Sequence, residues 1–217
     1  MHVPIKAPRE NPADYYNRKL YHSIVLQGVC DWRYCFTDVF FGYAGRALDA
    51  RILANSGIYN MAVTGQLLPN QNRVIVGQNV PLFIVADAAY PLLPWLMKPF
   101  AHRGILAAAQ HWFNYGLSRA RMTIENTFGR LKARWWCLLK KNEFELENIH
   151  RVVMACCVMH NVCEIHNERL NANWREILRE YEGDDPLLMV AQEVDARQMD
   201  VARGHEIRNA LVEFLTH

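Results

Sequence analysis

The chain has 217 residues, 51% of them hydrophobic and 21% charged, with a net charge of +2, a composition that excludes disordered and fibrous classes and suits one sizeable globular domain. No apolar run approaches the ~20 residues of a membrane-spanning helix, and the first twenty residues lack the apolar centre of a secretory signal, so an intracellular protein with no membrane contact is expected. The six cysteines (Cys30, Cys35, Cys137, Cys156, Cys157 and Cys163) include no CxxC pair and read as reduced thiols. Residues 7–20, with two prolines among polar side chains, read as a loop. Residues 22–29 and 35–41 read as strands, and the turn-like DWRY between them makes a hairpin; Gly42 and Gly45 then break the pattern. Residues 48–53 predict a short helix stopped near Asn55-Ser56-Gly57. A polar loop over 69–79 follows. The apolar run 80–86 is consistent with a strand buried on both faces, ending in Asp87, and the three prolines of AAYPLLPWLMKPF enforce an irregular path.

Residues 118–139 give the clearest helical pattern. Ile124, Phe128, Leu131, Trp135 and Leu138 recur at spacings of four and three, one apolar stripe, and Ser118 suits an N-cap. A second helix over 146–166 is apolar around much of its circumference and should enter the core. Within it Cys156, His160 and Cys163 share one face; a core histidine with a hydrogen bond explains them better than a metal site, since no fourth ligand is apparent. From residue 167 the chain is acidic and weakly patterned, and residues 190–215 suit one or two surface helices. The resulting division is 1–166 as the main domain and 167–217 as an acidic, partly helical tail.

Charge is unevenly placed. Between residues 119 and 141 stand seven basic side chains (Arg119, Arg121, Arg130, Lys132, Arg134, Lys140, Lys141) and one acid, Glu125. Such a segment beside an acidic tail fits a surface that meets a polyanion, with a solvated helix face as the alternative. Arg121 at i−4 and Lys132 at i+7 lie on Glu125's own side of the helix. A glutamate kept there is either an ion-pair partner or a metal ligand placed where a phosphate backbone arrives. Phosphodiester chemistry with two divalent cations needs several hard carboxylate oxygens delivered by separate elements to one point. Asp87 after a strand and Glu125 on a helix are candidates, with Asp49 at the start of the short helix a third and Asp31 at a strand end a fourth. Caps and surface charges are the alternative for each.

Five segments in order, HVPIKAPRENPADYYNRKLYHSIVLQGVCD, YAGRALDARILANS, VADAAYPLLPWLMKPF, FNYGLSRARMTIENTFGRLKARWWCLL and MACCVMHNVC, resemble successive motifs of PIF/Harbinger-type transposases and their domesticated nuclease relatives. The resemblance spans about residues 2–165. It implies an α/β fold with an RNase H-like mixed sheet flanked by helices, and a DDE-type nuclease dependent on Mg²⁺ or Mn²⁺. Position by position, the family's metal-binding acids fall on Asp49, Asp87 and Glu125, of which Asp87 and Glu125 are the catalytic pair named here; Asp31 matches a different family position. Arg121, Arg130, Lys132 and Arg134 would then contact DNA phosphates. A nuclear location (cytoplasmic without a partner) and a separate Myb-like DNA-binding protein are further implications of the resemblance.

In that family another aspartate stands on the first strand, just before the block that begins here at Met1, so the first strand is expected to be truncated. A two-metal site short of one carboxylate holds cations less well. The 217-residue chain is therefore expected to bind divalent metal weakly and to cleave DNA poorly or not at all. The alternative function is a non-catalytic DNA- or protein-binding domain of transposase origin. Incubating supercoiled plasmid with the chain and Mg²⁺ or Mn²⁺ checks this: robust nicking that Glu125→Ala abolishes would contradict the expectation.

Overall fold

The structure is a computed structural model that describes residues 1–101, 105–182 and 198–215. In chain order its elements are β1 (His2–Pro4), α1 (Pro12–Tyr15), β2 (Ser23–Cys30), β3 (Phe36–Ala44), α2 (Asp49–Ala54), α3 (Gly57–Val63), β4 (Asn72–Ile75), β5 (Gln78–Pro81), β6 (Ile84–Val85), β7 (Leu96–Met97), α4 (Ala108–Arg134), α5 (Leu146–Ile165), α6 (Trp174–Glu182) and α7 (Gln198–Phe214). This is a mixed α/β protein whose described strands form three small sheets: β1-β2-β3, β4-β5 and β6-β7. Packing divides the chain into two units, Met1–Leu48 with Thr123–Leu187, and Asp49–Met122 with Leu188–His217.

In the first unit the expected hairpin forms, β2 antiparallel to β3, and β1 adds antiparallel to the other side of β2. Residues 23–27 of β2 are buried on both faces. Gly42 does not end β3. The register passes from Val25↔Tyr43 to Leu26↔Phe41, so Gly42 is the extra residue of a bulge, at φ +128, a conformation costly to any residue with a Cβ. Residues 7–20 are not wholly loop, because Pro12 starts the short α1. The core joins Val3, Ile24, Leu26 and Phe36 of the sheet to Leu131, Leu138, Ile149, Val153 and Cys156, and Ile124, Phe128 and Trp135 pack against it. The predicted apolar stripe is thus the buried one, although α4 stops at Arg134 and Leu138 arrives on a following 3-10 turn. From α5, Asn161 closes the start of β3: its Oδ1 accepts the Phe36 N–H at 2.7 Å and its Nδ2 donates to the Phe36 carbonyl at 2.8 Å.

The second unit has a core of Ile75, Val80, Leu92, Met97, Phe113, Leu117, Ile207 and Leu211. Several expectations change here. The predicted loop 69–79 contains the hairpin β4-β5, turned by Val76 and Gly77, both at positive φ (47 and 73), the geometry of a type I′ turn. The run 80–86 is two strands: it pairs with β4 as far as Pro81, then after a break pairs in parallel with β7. Proline has no N–H to continue a ladder, and Leu82 at the break is exposed. Helix α4 begins ten residues before Ser118; Gln110 Oε1 accepts the Ala107 N–H at 3.1 Å, meeting one of the donors every helix start leaves open. Finally α7 is no surface helix, since Ile207, Ala210 and Leu211 are buried; the part of the predicted helical stretch at 190–197 lies outside the described residues.

Gly45 is the most tightly enclosed of the first unit's described glycines. A Cβ there would stand 2.1 Å from Ser23 Oγ, 2.7 Å from the Tyr15 carbonyl oxygen and 2.8 Å from that of Ser23. Gly45→Ala is expected to cost about 2–3 kcal/mol in urea unfolding. Gly57→Ala, where a Cβ would meet no atom within 4 Å, should leave the midpoint unchanged or slightly raised.

Candidate metal centre and basic surface

Two of the predicted carboxylates belong to the second unit. Asp87, two residues past β6, folds its own turn: Oδ1 accepts the Ala89 N–H at 2.8 Å and its carbonyl accepts the Tyr90 N–H at 3.3 Å. Asp49 is the first residue of α2, where the helix dipole favours a negative charge. Both act on one phenol. Burial first, then the charges of Asp49 and Asp87, push the Tyr90 hydroxyl well above the usual tyrosine range. Tyr90 therefore stays protonated at any ordinary pH. Glu125 belongs to the first unit, on an exposed position of α4. Among the described residues no group of three His, Cys, Asp or Glu side chains is disposed to hold a metal ion. The donor chemistry of Asp49 and Asp87 still suits a hard cation, since carboxylate oxygen is what Mg²⁺ and Mn²⁺ take.

Asp31 is engaged elsewhere. Its Oδ1 accepts the N–H groups of Arg33 and Cys35 at 2.9 and 3.1 Å, and Arg33 Nε donates to Oδ2 at 3.1 Å. It is the cap of the β2-β3 turn. Burial works to raise its pKa, but these donors outweigh burial and hold it below the usual aspartate value.

The basic side chains divide into two kinds. Arg130 makes a fork onto Glu164, Nε to Oε1 at 2.7 Å and Nη2 to Oε2 at 2.5 Å, and its guanidinium lies 4.8 Å from the Tyr34 ring centre. Arg134 donates to the same carboxylate at 2.5 Å, to His160 Nδ1 at 3.2 Å and to the Glu168 carbonyl at 3.0 Å. The Glu164 side chain is 4% exposed and that of Arg134 9%. Because Arg134 donates to Nδ1, the His160 proton sits on Nε2, which donates to the Tyr34 carbonyl at 2.8 Å. Burial keeps His160 neutral by lowering its pKa, a direction reinforced by both arginines and opposed by Tyr34 and Glu164. His160 is a satisfied core histidine, and all six cysteines are free thiols. So Arg130 and Arg134, expected at phosphates, are turned onto Glu164.

Lys132 bears on a different place. His2 Nδ1 lies 2.9 Å from Ser23 Oγ. The pKa of His2 is lowered to about 3, first by burial, then by the N-terminal ammonium, Lys19, Arg18 and Lys132. Three cationic side chains from β1's neighbourhood and α4 therefore bear on one place. Arg121 is half-buried on the α4 segment of the second unit. Sequence reasoning missed Arg18, Lys19, Tyr90 and Glu164. The adjacent Arg18-Lys19 pair was a readable signal, as was Glu164, the one acid in the last two turns of α5.

Within the second unit, Asp87 just past a strand and Asp49 at a helix start both bear electrostatically on Tyr90. The family described as DDE superfamily endonuclease matches residues 1–161, and the chain belongs to it. It is 29% identical over 166 residues to a protein named Protein ALP1-like from Arabidopsis thaliana, covering 74% of this chain and 40% of that protein. It is 28% identical over 169 residues to Putative nuclease HARBI1 from Homo sapiens, covering 76% of this chain and 44% of that protein. The chain thus spans less than half the length of these relatives. No solved structure matches it significantly.

The Glu164 cluster makes a pH-dependent prediction. Burial alone would raise its pKa; the hydrogen bonds and charges of Arg130 and Arg134 prevail and lower it. A carboxyl with a lowered folded pKa contributes stability that is complete above the ordinary glutamate range and is lost as pH falls through the lowered value. Glu164→Gln, which leaves two guanidiniums without their counter-charge, is expected to cost about 3 kcal/mol at neutral pH, with the deficit shrinking under acid. Urea midpoints measured from pH 7 down to pH 3 check both the size and the trend; a deficit that holds constant would contradict the assignment.

Proposed function

We propose that this chain is a transposase-derived nuclease segment of PIF/Harbinger type, RNase H-like in fold, acting on DNA with divalent metal held by Asp49, Asp87 and Glu125. The observation that carries this reading is the approach of Asp49 and Asp87 to Tyr90 within one unit, both inside the segment matched by the endonuclease family. Two bound cations would activate a nucleophile and stabilise the leaving oxygen of a phosphodiester. The chain's own side chains perform the rest. Asp87 is pre-oriented by the Ala89 N–H, and the Tyr90 hydroxyl on which both carboxylates bear stays protonated. Glu125 stands on a helix whose next turns are clamped by Arg130 and Arg134 to Glu164, a rigid mount for a ligand.

In this reading the phosphate-facing cations are Lys132, Arg18 and Lys19, with Arg121, while Arg130 and Arg134 act as braces. A nuclear location and a separate Myb-like DNA-binding partner accompany it. The gathering of cations about His2 also favours a second reading, DNA binding without cleavage.

Mn²⁺ titration of the whole chain, followed by the spin-resonance signal of the free ion, tests the ligand set. Binding is expected to be weak, and Asp87→Asn and Glu125→Gln should each lower it by about tenfold or more. Equal binding in all three proteins would overturn the metal reading. On duplex DNA, Lys132→Gln should weaken binding uniformly across sequences and reduce the salt slope by about one. Salt-sensitive DNA binding with no Mn²⁺ effect in any variant would leave the second reading standing.

A further inference from the structure

Arg208 lies on α7, beyond the matched segment 1–161. Its neighbour Ile207, and Leu211 three residues on, are core residues, and the same packing takes Arg208 down to 7% exposure. The guanidinium carbon stands 3.8 Å from the Phe100 ring centre, Nη2 is 3.2 Å from His205 Nδ1, and Nε is buried without a hydrogen-bond partner. Burial lowers its pKa to about 10, which leaves it charged at neutral pH. Among the described residues no carboxylate pairs with it.

The surroundings add positive charge. Lys98, on the residue after β7, donates to the Ala88 carbonyl at 3.5 Å. His205, exposed on α7, has its pKa lowered by burial first and then by Arg208 and Lys98. The exposed imidazole of His205 thus feels both the buried guanidinium of Arg208 and the half-buried ammonium of Lys98. Glu206, the acid nearest along α7, is two positions from Arg208 and so turned to the far side of the helix.

An unpaired buried cation is costly, and stacking on one aromatic ring offsets only part of that cost. The missing contribution is an anion with several acceptor oxygens, because a guanidinium fork matches phosphate geometry. We propose that Arg208, with Lys98 and His205 at its rim, is an oxyanion site that takes a phosphate group. The same chemistry has two sources, the DNA backbone and a free phosphate. The proposal stands whether or not Asp49, Asp87 and Glu125 hold metal.

Thermal unfolding of the whole chain in sodium phosphate, against sodium chloride at equal ionic strength, is the test. Phosphate is expected to raise the midpoint of the wild type and not that of Arg208→Gln, with Lys98→Gln and His205→Gln intermediate. Arg208→Gln is in the core, so the two rim variants carry the test if it does not fold. Anisotropy of a short labelled duplex separates the sources. If the rim variants also lose DNA affinity and salt slope, the ligand is the backbone; if DNA binding is unchanged while phosphate stabilisation falls, it is free phosphate. Equal stabilisation by chloride and phosphate, or phosphate stabilisation that survives in every variant, overturns the proposal.

Discussion

One buried carboxylate organises the first unit. Glu164 takes both oxygens to Arg130 and shares one with Arg134, and its helix, α5, holds the sheet through two further side chains on the same face. His160 reaches the Tyr34 carbonyl in the hairpin turn, and Asn161 pairs with both backbone groups of Phe36. Helix α5 therefore meets α4 through charge and β3 through amide hydrogen bonds, above a common apolar layer. A glutamate left alone there would protonate, because burial disfavours its charged form. The two guanidiniums keep it ionised and orient the cluster. Buried pairs of this kind contribute little net stability against an apolar alternative, yet they are costly to break.

That arrangement changes the meaning of the basic segment. Seven cations over residues 119–141 suggest a surface for nucleic acid, but two of them are spent inside the unit. Lys132, with Arg18 and Lys19 from the chain before β2, bears instead on His2. Electrostatic attraction of DNA depends on the field at the surface, so a charge neutralised at hydrogen-bond distance by Glu164 adds little to it. The carboxylates follow a related logic. Asp87 is held by its own turn and Asp49 opens a helix, and both charges bear on the Tyr90 phenol, whose ionisation they oppose.

The parts that were legible in the sequence are those decided by local pattern. The β2-β3 hairpin, α2, α5 and the apolar stripe of α4 follow from periodicity and turn residues, and motif order pointed to the family that matches residues 1–161. The parts that were not depend on partners distant in the chain. Helix α4 starts without a Ser, Thr, Asp or Asn cap, since a glutamine does that work. Val76-Gly77 is an unusual pair for a tight hairpin because a β-branched residue resists positive φ, and so β4 and β5 read as loop. In α7 the charges at Arg203, Glu206, Arg208 and Glu213 dilute an apolar face that is nonetheless buried. Nothing within residues 130–134 announces a carboxylate thirty positions later.

Arg134 and Arg208 give the comparison that the charge pattern alone conceals. The Arg134 side chain is 9% exposed and Arg208 is 7% exposed, so solvent has withdrawn from both to a similar degree. Arg134 has a carboxylate, an imidazole nitrogen and a carbonyl to receive its protons. Arg208 has an imidazole nitrogen and an aromatic face, with one buried N–H left over. The desolvation each guanidinium suffers is alike, and the compensation is not. Arg134 is buried against an anion from its own chain; among the described residues Arg208 has none, and that deficit is what the proposed oxyanion would offset.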